Sequence, residues 1–196
     1  MIAAAGVRPL GCDRVAVGVM NSAIVVVDML NRYDHEDGDR LMDSVREALP
    51  AMRALVARAR EEDVPVVYVN DNYGDWSACR PQLVERALQG RAPELVEPIA
   101  PAPDVGFVVK ARHSIFYQTQ LEYLLREEEV DRIVLVGQVT EQCILYSALD
   151  AYVRELAVAI PRDAVAHIHD DLADAALRMM ERNMSADITP AAQCAL

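Results

Sequence analysis

Four stretches of this chain are almost unbroken apolar runs: Ile24-Val25-Val26-Val27, Val64 to Val69, Phe107-Val108-Val109 and Ile133-Val134-Leu135-Val136. A strand with one face in water alternates apolar with polar residues, so runs of this kind read as strands buried on both faces, as in a parallel sheet. Between them lie helical patterns. Leu41, Val45, Leu49, Met52, Leu55, Val56 and Ala59 recur at helical spacing, and Pro50 inside that pattern predicts a kink or the start of a second helix. Helices are predicted over Pro81–Gln89, from a capping pattern at Thr119-Gln120-Leu121-Glu122 to Glu128, over Glu141–Arg154 and over Asp170–Met184. Leu156–Ile160 and Ala186–Thr189 read as further strands, and Pro93–Pro103, with its four prolines, as a surface crossing. Strands alternating with helices predict a three-layer α/β/α sandwich around a parallel sheet.

The 196 residues suit one domain, taken as 22–196, preceded by an N-terminal arm over 1–21. A net charge of -12 repels nucleic acid and anionic membrane surfaces, so neither is an expected partner and a small-molecule substrate is. No run reaches the length of about 18 to 20 apolar residues that a bilayer span needs. Met1 to Leu10 lacks the basic lead of a secretory signal, so the cytoplasm is the expected compartment. Cys12, Cys79, Cys143 and Cys194 show no CxxC spacing and read as independent thiols. Neither GxGxxG nor GxxxxGK[ST] occurs, so no nucleotide cofactor is expected.

Three residues stand where the apolar runs end. Asp28 closes the first run, Lys110 closes the third, and Cys143 follows the fourth by a few residues. In open α/β sheets the carboxyl edge of the strands is where ligands bind. Lys110 is also the only lysine in a chain whose other cations are all arginine, and an ammonium is a point charge that responds to burial as a guanidinium does not. Thr140 is placed to cap the helix beginning near Glu141, which would put Cys143 at the positive end of the helix dipole, where a thiol pKa falls. Backbone N–H groups of that turn could hold an oxyanion. Each residue also has a plainer reading: Lys110 as a side chain snorkelling from a strand end, Asp28 and Lys110 as an ion pair, and Cys143 as a small buried hydrophobe.

The blocks Val25-Val26-Val27-Asp28-Met29, Phe107-Val108-Val109-Lys110-Ala111-Arg112-His113-Ser114-Ile115-Phe116 and Val136-Gly137-Gln138-Val139-Thr140-Glu141-Gln142-Cys143 resemble the isochorismatase-like cysteine hydrolases, over roughly Ala23 to Thr189. That resemblance implies a parallel six-stranded sheet, an Asp28-Lys110-Cys143 triad, homo-oligomers, a cis peptide between Val139 and Thr140, and an oxyanion hole of the Thr140 and Cys143 amides. Nicotinamidases of the family carry a histidine-rich metal site after the second strand. Here Asn70 to Trp76 contains no histidine, so no metal is expected. The Asn-Asp-Asn-Tyr-Gly-Asp-Trp loop and the Val-Thr-Glu-Gln-Cys block are most similar to the streptothricin hydrolase branch, which opens a lactam in a cationic antibiotic.

A cationic substrate would be steered inward by the acidic protein. Asp71, Asp75 and Glu141 are candidate contacts for it, and Trp76, His113, Phe116 and Tyr117 candidate pocket lining. Three other readings remain beside the triad. Cys143 could pair with His113 as base in the manner of papain-like sites, Asp28 could itself be a nucleophile, or the chain could be an inert scaffold that only oligomerises. An Asp28 nucleophile of the haloacid-dehalogenase kind wants a second acid where Leu30 stands. His167 and His169 alternate, but no further ligand clusters with them, and they read as ordinary hydrogen-bonded histidines.

Overall fold

The computed structural model describes residues 20–196. The elements are β1 (Ser22–Val27), α1 (Gly38–Glu61), β2 (Val66–Asp71), α2 (Arg80–Leu88), α3 (Pro93–Val96), β3 (Gly106–Lys110), α4 (Leu121–Glu127), β4 (Arg132–Gln138), α5 (Leu145–Val153), β5 (Ala157–Ala159), β6 (Val165–Ala166) and α6 (Asp170–Met184). All strand pairs are parallel, in the order β3-β2-β1-β4-β5, with β6 pairing the end of β4. The expected six-stranded parallel sheet between helical layers is therefore what the chain forms.

The unbroken apolar runs follow from this burial. Successive side chains of β1 point to opposite faces. Ile24 and Val26 pack with α1 and α3, while Ala23, Val25 and Val27 pack with residues of α4, α5 and α6. Every residue of β1 is buried, and the strand lies between β2 and β4. Connections run one way from β1 through β2 to β3 and the other way from β4 to β5, so a topological switch point falls between β1 and β4. A crevice opens at the carboxyl ends of such a pair.

Several local expectations are corrected. Of the two outcomes expected at Pro50, the second helix does not form: α1 is one helix of 24 residues, with Leu49 and Met52 buried on either side of the proline. Packing of its long apolar face on the sheet outweighs one missing hydrogen bond. Within Pro93–Pro103, α3 and a following 3-10 turn (Glu97–Ile99) bury Leu95, Val96 and Ile99, so proline here starts short helices rather than a bare crossing. Ala186–Thr189 is reduced to a single bridge between Ala159 and Asp187. The two-residue β6 was not foreseen, being too short to show any periodicity. Of the proposed arm over 1–21, all but Met20 and Asn21 lies outside the described residues. The Asn21 carbonyl accepts the Asp131 and Arg132 amides at 3.0 and 3.2 Å, which ties the start of β1 to β4.

Gly137 shows how closely β1 and β4 approach beneath the crevice. Its φ is +116°, and a Cβ there would stand 2.2 Å from the Val27 carbonyl oxygen, so only glycine fits. Among the described residues no helix is long and apolar enough to cross a membrane.

Candidate active site

Asp28, Lys110 and Cys143 meet at the carboxyl edge of the sheet. The Lys110 Nζ is 2.9 Å from Asp28 Oδ2 and 3.5 Å from Cys143 Sγ. All three residues are buried, and the Lys110 side chain has no exposed surface. The strands do the positioning: Asp28 directly follows β1, Lys110 ends β3, and Cys143 lies in the turn between β4 and α5. Asp28 takes a left-handed backbone conformation (φ 55°), and its Oδ1 accepts the Asp71 N–H at 2.8 Å. Gln138 donates from Nε2 to the Asp28 carbonyl at 2.6 Å. Sequence reasoning missed Gln138; its one signal is a polar residue closing an apolar strand.

The turn that carries Cys143 differs from the expected helix start. Thr140–Ile144 forms a wide turn in which the Ile144 amide reaches back five residues to the Val139 carbonyl, at 3.1 Å, and α5 begins only at Leu145. Thr140 is not a cap: Val139 holds the N-cap position, and the Thr140 hydroxyl donates to the Ala166 carbonyl at 2.9 Å. The cis peptide lies between Gln138 and Val139, one bond before the expected place. The Gln142 amide, like that of Ile144, is bound to the Val139 carbonyl.

Burial reverses the expected charge state of the thiol. Desolvation and the Asp28 carboxylate push the Cys143 pKa up, and together they outweigh the pull of Lys110. Loss of water at the buried sulfur is the largest of these effects. For Lys110, burial alone would lower the pKa, but the Asp28 carboxylate and the Cys143 sulfur hold it above its ordinary value. Burial raises Asp28 as well, against the opposing effect of Lys110. The resting site is thus a protonated thiol beside a carboxylate–ammonium pair. A carboxylate with a raised pKa is the stronger base for the proton the sulfur must lose.

One consequence is measurable in stability. The folded state holds the Cys143 proton more tightly than the unfolded chain does, so the unfolded chain releases it first as pH rises. This contribution is whole below about pH 8.5, the ordinary thiol value, and is lost as pH climbs toward the folded value. Lys110 adds a loss of the same sign above about pH 10.4. The melting temperature should fall between about pH 8.5 and about pH 10 in the wild type and fall less steeply in Cys143→Ala. Parallel curves for the two proteins would contradict the assignment.

The other candidate residues divide. Asp71 joins the triad, with Oδ2 3.5 Å from Lys110 Nζ. His113 stands with Nδ1 3.5 Å from Cys143 Sγ. Trp76 and Tyr117 are exposed and border a cleft of about 480 Å³ beside Lys110, with Asn72, Asp75 and Arg112. Asp75 is paired with Arg86 at 2.7 Å. Phe116 is packed in the core instead of lining open space, and the Arg154 guanidinium lies 4.8 Å over its ring. Glu141 also faces the protein: its Oε1 accepts the Ile168 and His169 amides at 3.0 and 2.8 Å, which fastens the turn that carries Cys143 to the start of α6. His167 Nδ1 lies 3.1 Å from the Ser44 hydroxyl, so it is a hydrogen-bonded histidine. Among the described residues no group of three His, Cys, Asp or Glu is arranged to hold a metal ion.

Comparison with known proteins identifies the family of this fold. The isochorismatase domain family matches residues 22–193. An uncharacterized isochorismatase family protein of Bacillus subtilis, YaaI, is 34% identical over 169 residues, covering 86% of this chain and 93% of its own length. Maleamate amidohydrolase of Pseudomonas putida is 27% identical over 157 residues, 76% of this chain and 74% of its own. Among solved structures, N-carbamoylsarcosine amidase from Thermoplasma acidophilum aligns with a TM-score of 0.68 at 28% identity, covering 89% of this chain and 99% of that one. With its family domain spanning nearly the whole described fold and its acid, base and sulfur at the switch point, the chain belongs to the isochorismatase family of hydrolases.

Proposed function

We propose that this protein is a metal-independent cysteine amidohydrolase, cleaving the C–N bond of a small carboxamide, ureide or lactam through a thioester on Cys143. The observation that carries the reading is the contact of one buried ammonium with both the Asp28 carboxylate, at 2.9 Å, and the Cys143 sulfur, at 3.5 Å. A buried ion pair alone would need no sulfur. As Cys143 attacks the carbonyl carbon, its proton passes to Asp28 and Lys110 balances the charge on both partners. The amides of Thr140 and Cys143 are the donors assigned to the oxyanion, and the amine leaves with the proton returned from Asp28. Water then opens the thioester. Two of the three relatives named above are, by name, an amidohydrolase and an amidase, which supports C–N cleavage. No metal enters the scheme, because the loop after β2 offers no imidazole.

A cationic lactam of the streptothricin kind is the substrate class we favour, with the net charge of -12 and Asp75 on the wall of the cleft as support. A cytoplasmic homo-oligomer completes the reading. Amine or ammonia release from a panel of lactams, carboxamides and ureides, with Cys143→Ser as blank, tests it. Turnover of a cationic lactam above the neutral and anionic compounds is expected. Release confined to anionic amides would remove the streptothricin assignment, and release that Cys143→Ser matches would remove the mechanism.

A further inference from the structure

We infer that His113 is a second catalytic residue, serving the half-reaction that frees Cys143 from its acyl group; the inference rests on the cysteine reading above. The sulfur has neighbours of two kinds. Lys110 and Asp28 approach it from the interior, with side chains 0% and 9% exposed. His113 is exposed, and its Nδ1 lies 3.5 Å from the same sulfur. The imidazole therefore stands on the side of Cys143 from which water arrives.

The ring is held in place. Tyr146, in α5, stacks on it with centroids 5.4 Å apart and planes at 26°. The next residues are fastened to the same helix: Ser114 donates from its hydroxyl to Asp150, and the Ile115 amide donates to the Ser147 hydroxyl at 3.1 Å. The segment after β3 is thus tied to the helix that follows the nucleophile, and His113 keeps its position relative to the sulfur.

Asp28 reaches the sulfur from the interior, its side chain 9% exposed, whereas the water of the second half-reaction arrives from solvent. One of its oxygens accepts the Asp71 amide at 2.8 Å and the other faces Lys110 at 2.9 Å. A neutral imidazole carries a free lone pair on one ring nitrogen, which can take a proton from water. In the first half-reaction the Cys143 proton passes to Asp28, the carbon–sulfur bond forms, the carbon–nitrogen bond breaks, and the amine departs with that proton. In the second, His113 takes a proton from water as the water oxygen bonds to the thioester carbon. The carbon–sulfur bond then breaks, and the leaving thiolate recovers a proton from the imidazolium. The products are a carboxylic acid and the resting thiol.

Acylation of the full chain by p-nitrophenyl acetate separates the halves. The burst of p-nitrophenolate reads attack by Cys143, and the slower steady phase reads release of acetate. His113→Gln should keep the burst rate within about twofold and slow the steady phase by about 100-fold. Acetylated Cys143 should accumulate, as read by mass spectrometry, and the decline of the steady rate on acidification should disappear. In His113→Ala, added imidazole should restore the steady phase, which a merely structural role for the ring would not permit. A steady phase at the wild-type rate in both variants would overturn the inference, as would a burst slowed equally with it. A wild-type burst that persists in Cys143→Ala would overturn the cysteine reading itself.

Discussion

Cys143→Ala is expected to retain the fold and lose turnover by on the order of 10,000-fold or more. The two halves of this expectation have different causes. Structurally the change removes one sulfur atom from a small side chain buried in the apolar cluster on that face of the sheet, a loss of about 1 kcal/mol. Chemically it removes the sulfur that, in the proposed mechanism, bonds to carbon, while Asp28 and Lys110 keep their 2.9 Å contact. Circular dichroism and thermal melting read the first half; steady-state rates on a verified amide read the second. Cys143→Ser should be as inactive, since the Asp28–Lys110 pair is arranged around a thiol and a serine hydroxyl gives up its proton far less readily. Wild-type rates in Cys143→Ala would end the mechanism, and would favour a direct attack of water directed by Asp28.

Lys110→Met carries the largest expected cost in stability. The Lys110 side chain is wholly enclosed and offsets the Asp28 carboxylate from within. Removing one member of a buried ion pair leaves the other charged without compensation, at a cost of about 3–5 kcal/mol. Methionine fills much of the lysine stem's volume, so the loss is electrostatic rather than a cavity. The deficit should shrink as pH falls, because Asp28, already raised by burial and now without the ammonium, takes up a proton and becomes neutral. Urea midpoints at about pH 7 and at about pH 5 would show it. Activity should vanish with the charge. Lys110→Arg should not restore it, since the planar guanidinium cannot sit as a point charge between Asp28 and Cys143. A midpoint equal to wild type at neutral pH would mean that Asp28 is not ionised beside Lys110.

The contrast between Asp28 and Phe116 shows what order along the chain can reveal. Asp28 and Lys110 were legible because each ends an apolar run, and a run buried on both faces can only be a strand of a covered parallel sheet, whose carboxyl edge is a known place. Phe116, Glu141 and Thr140 lie close in sequence to those ends, and their side chains have partners elsewhere in the fold, while the Thr140 amide keeps the oxyanion role proposed above. Phe116 packs in the core, Glu141 binds the start of α6 and Thr140 holds the Ala166 carbonyl. These partners lie across the fold, and no local pattern announces them. Gln138 escaped notice for the same reason, its acceptor on Asp28 being 110 residues away.

By itself, then, the order of residues determined the layered α/β architecture and the meeting of an acid, an ammonium and a thiol at one sheet edge, because hydrophobic periodicity and strand polarity are properties of consecutive residues. Tertiary structure alone decided that α1 runs through Pro50 and that the thiol holds its proton at rest. It also decided that His113 faces the sulfur from the solvent side. Those outcomes depend on how much water is excluded and which distant groups pack together, and both are sums over the whole fold.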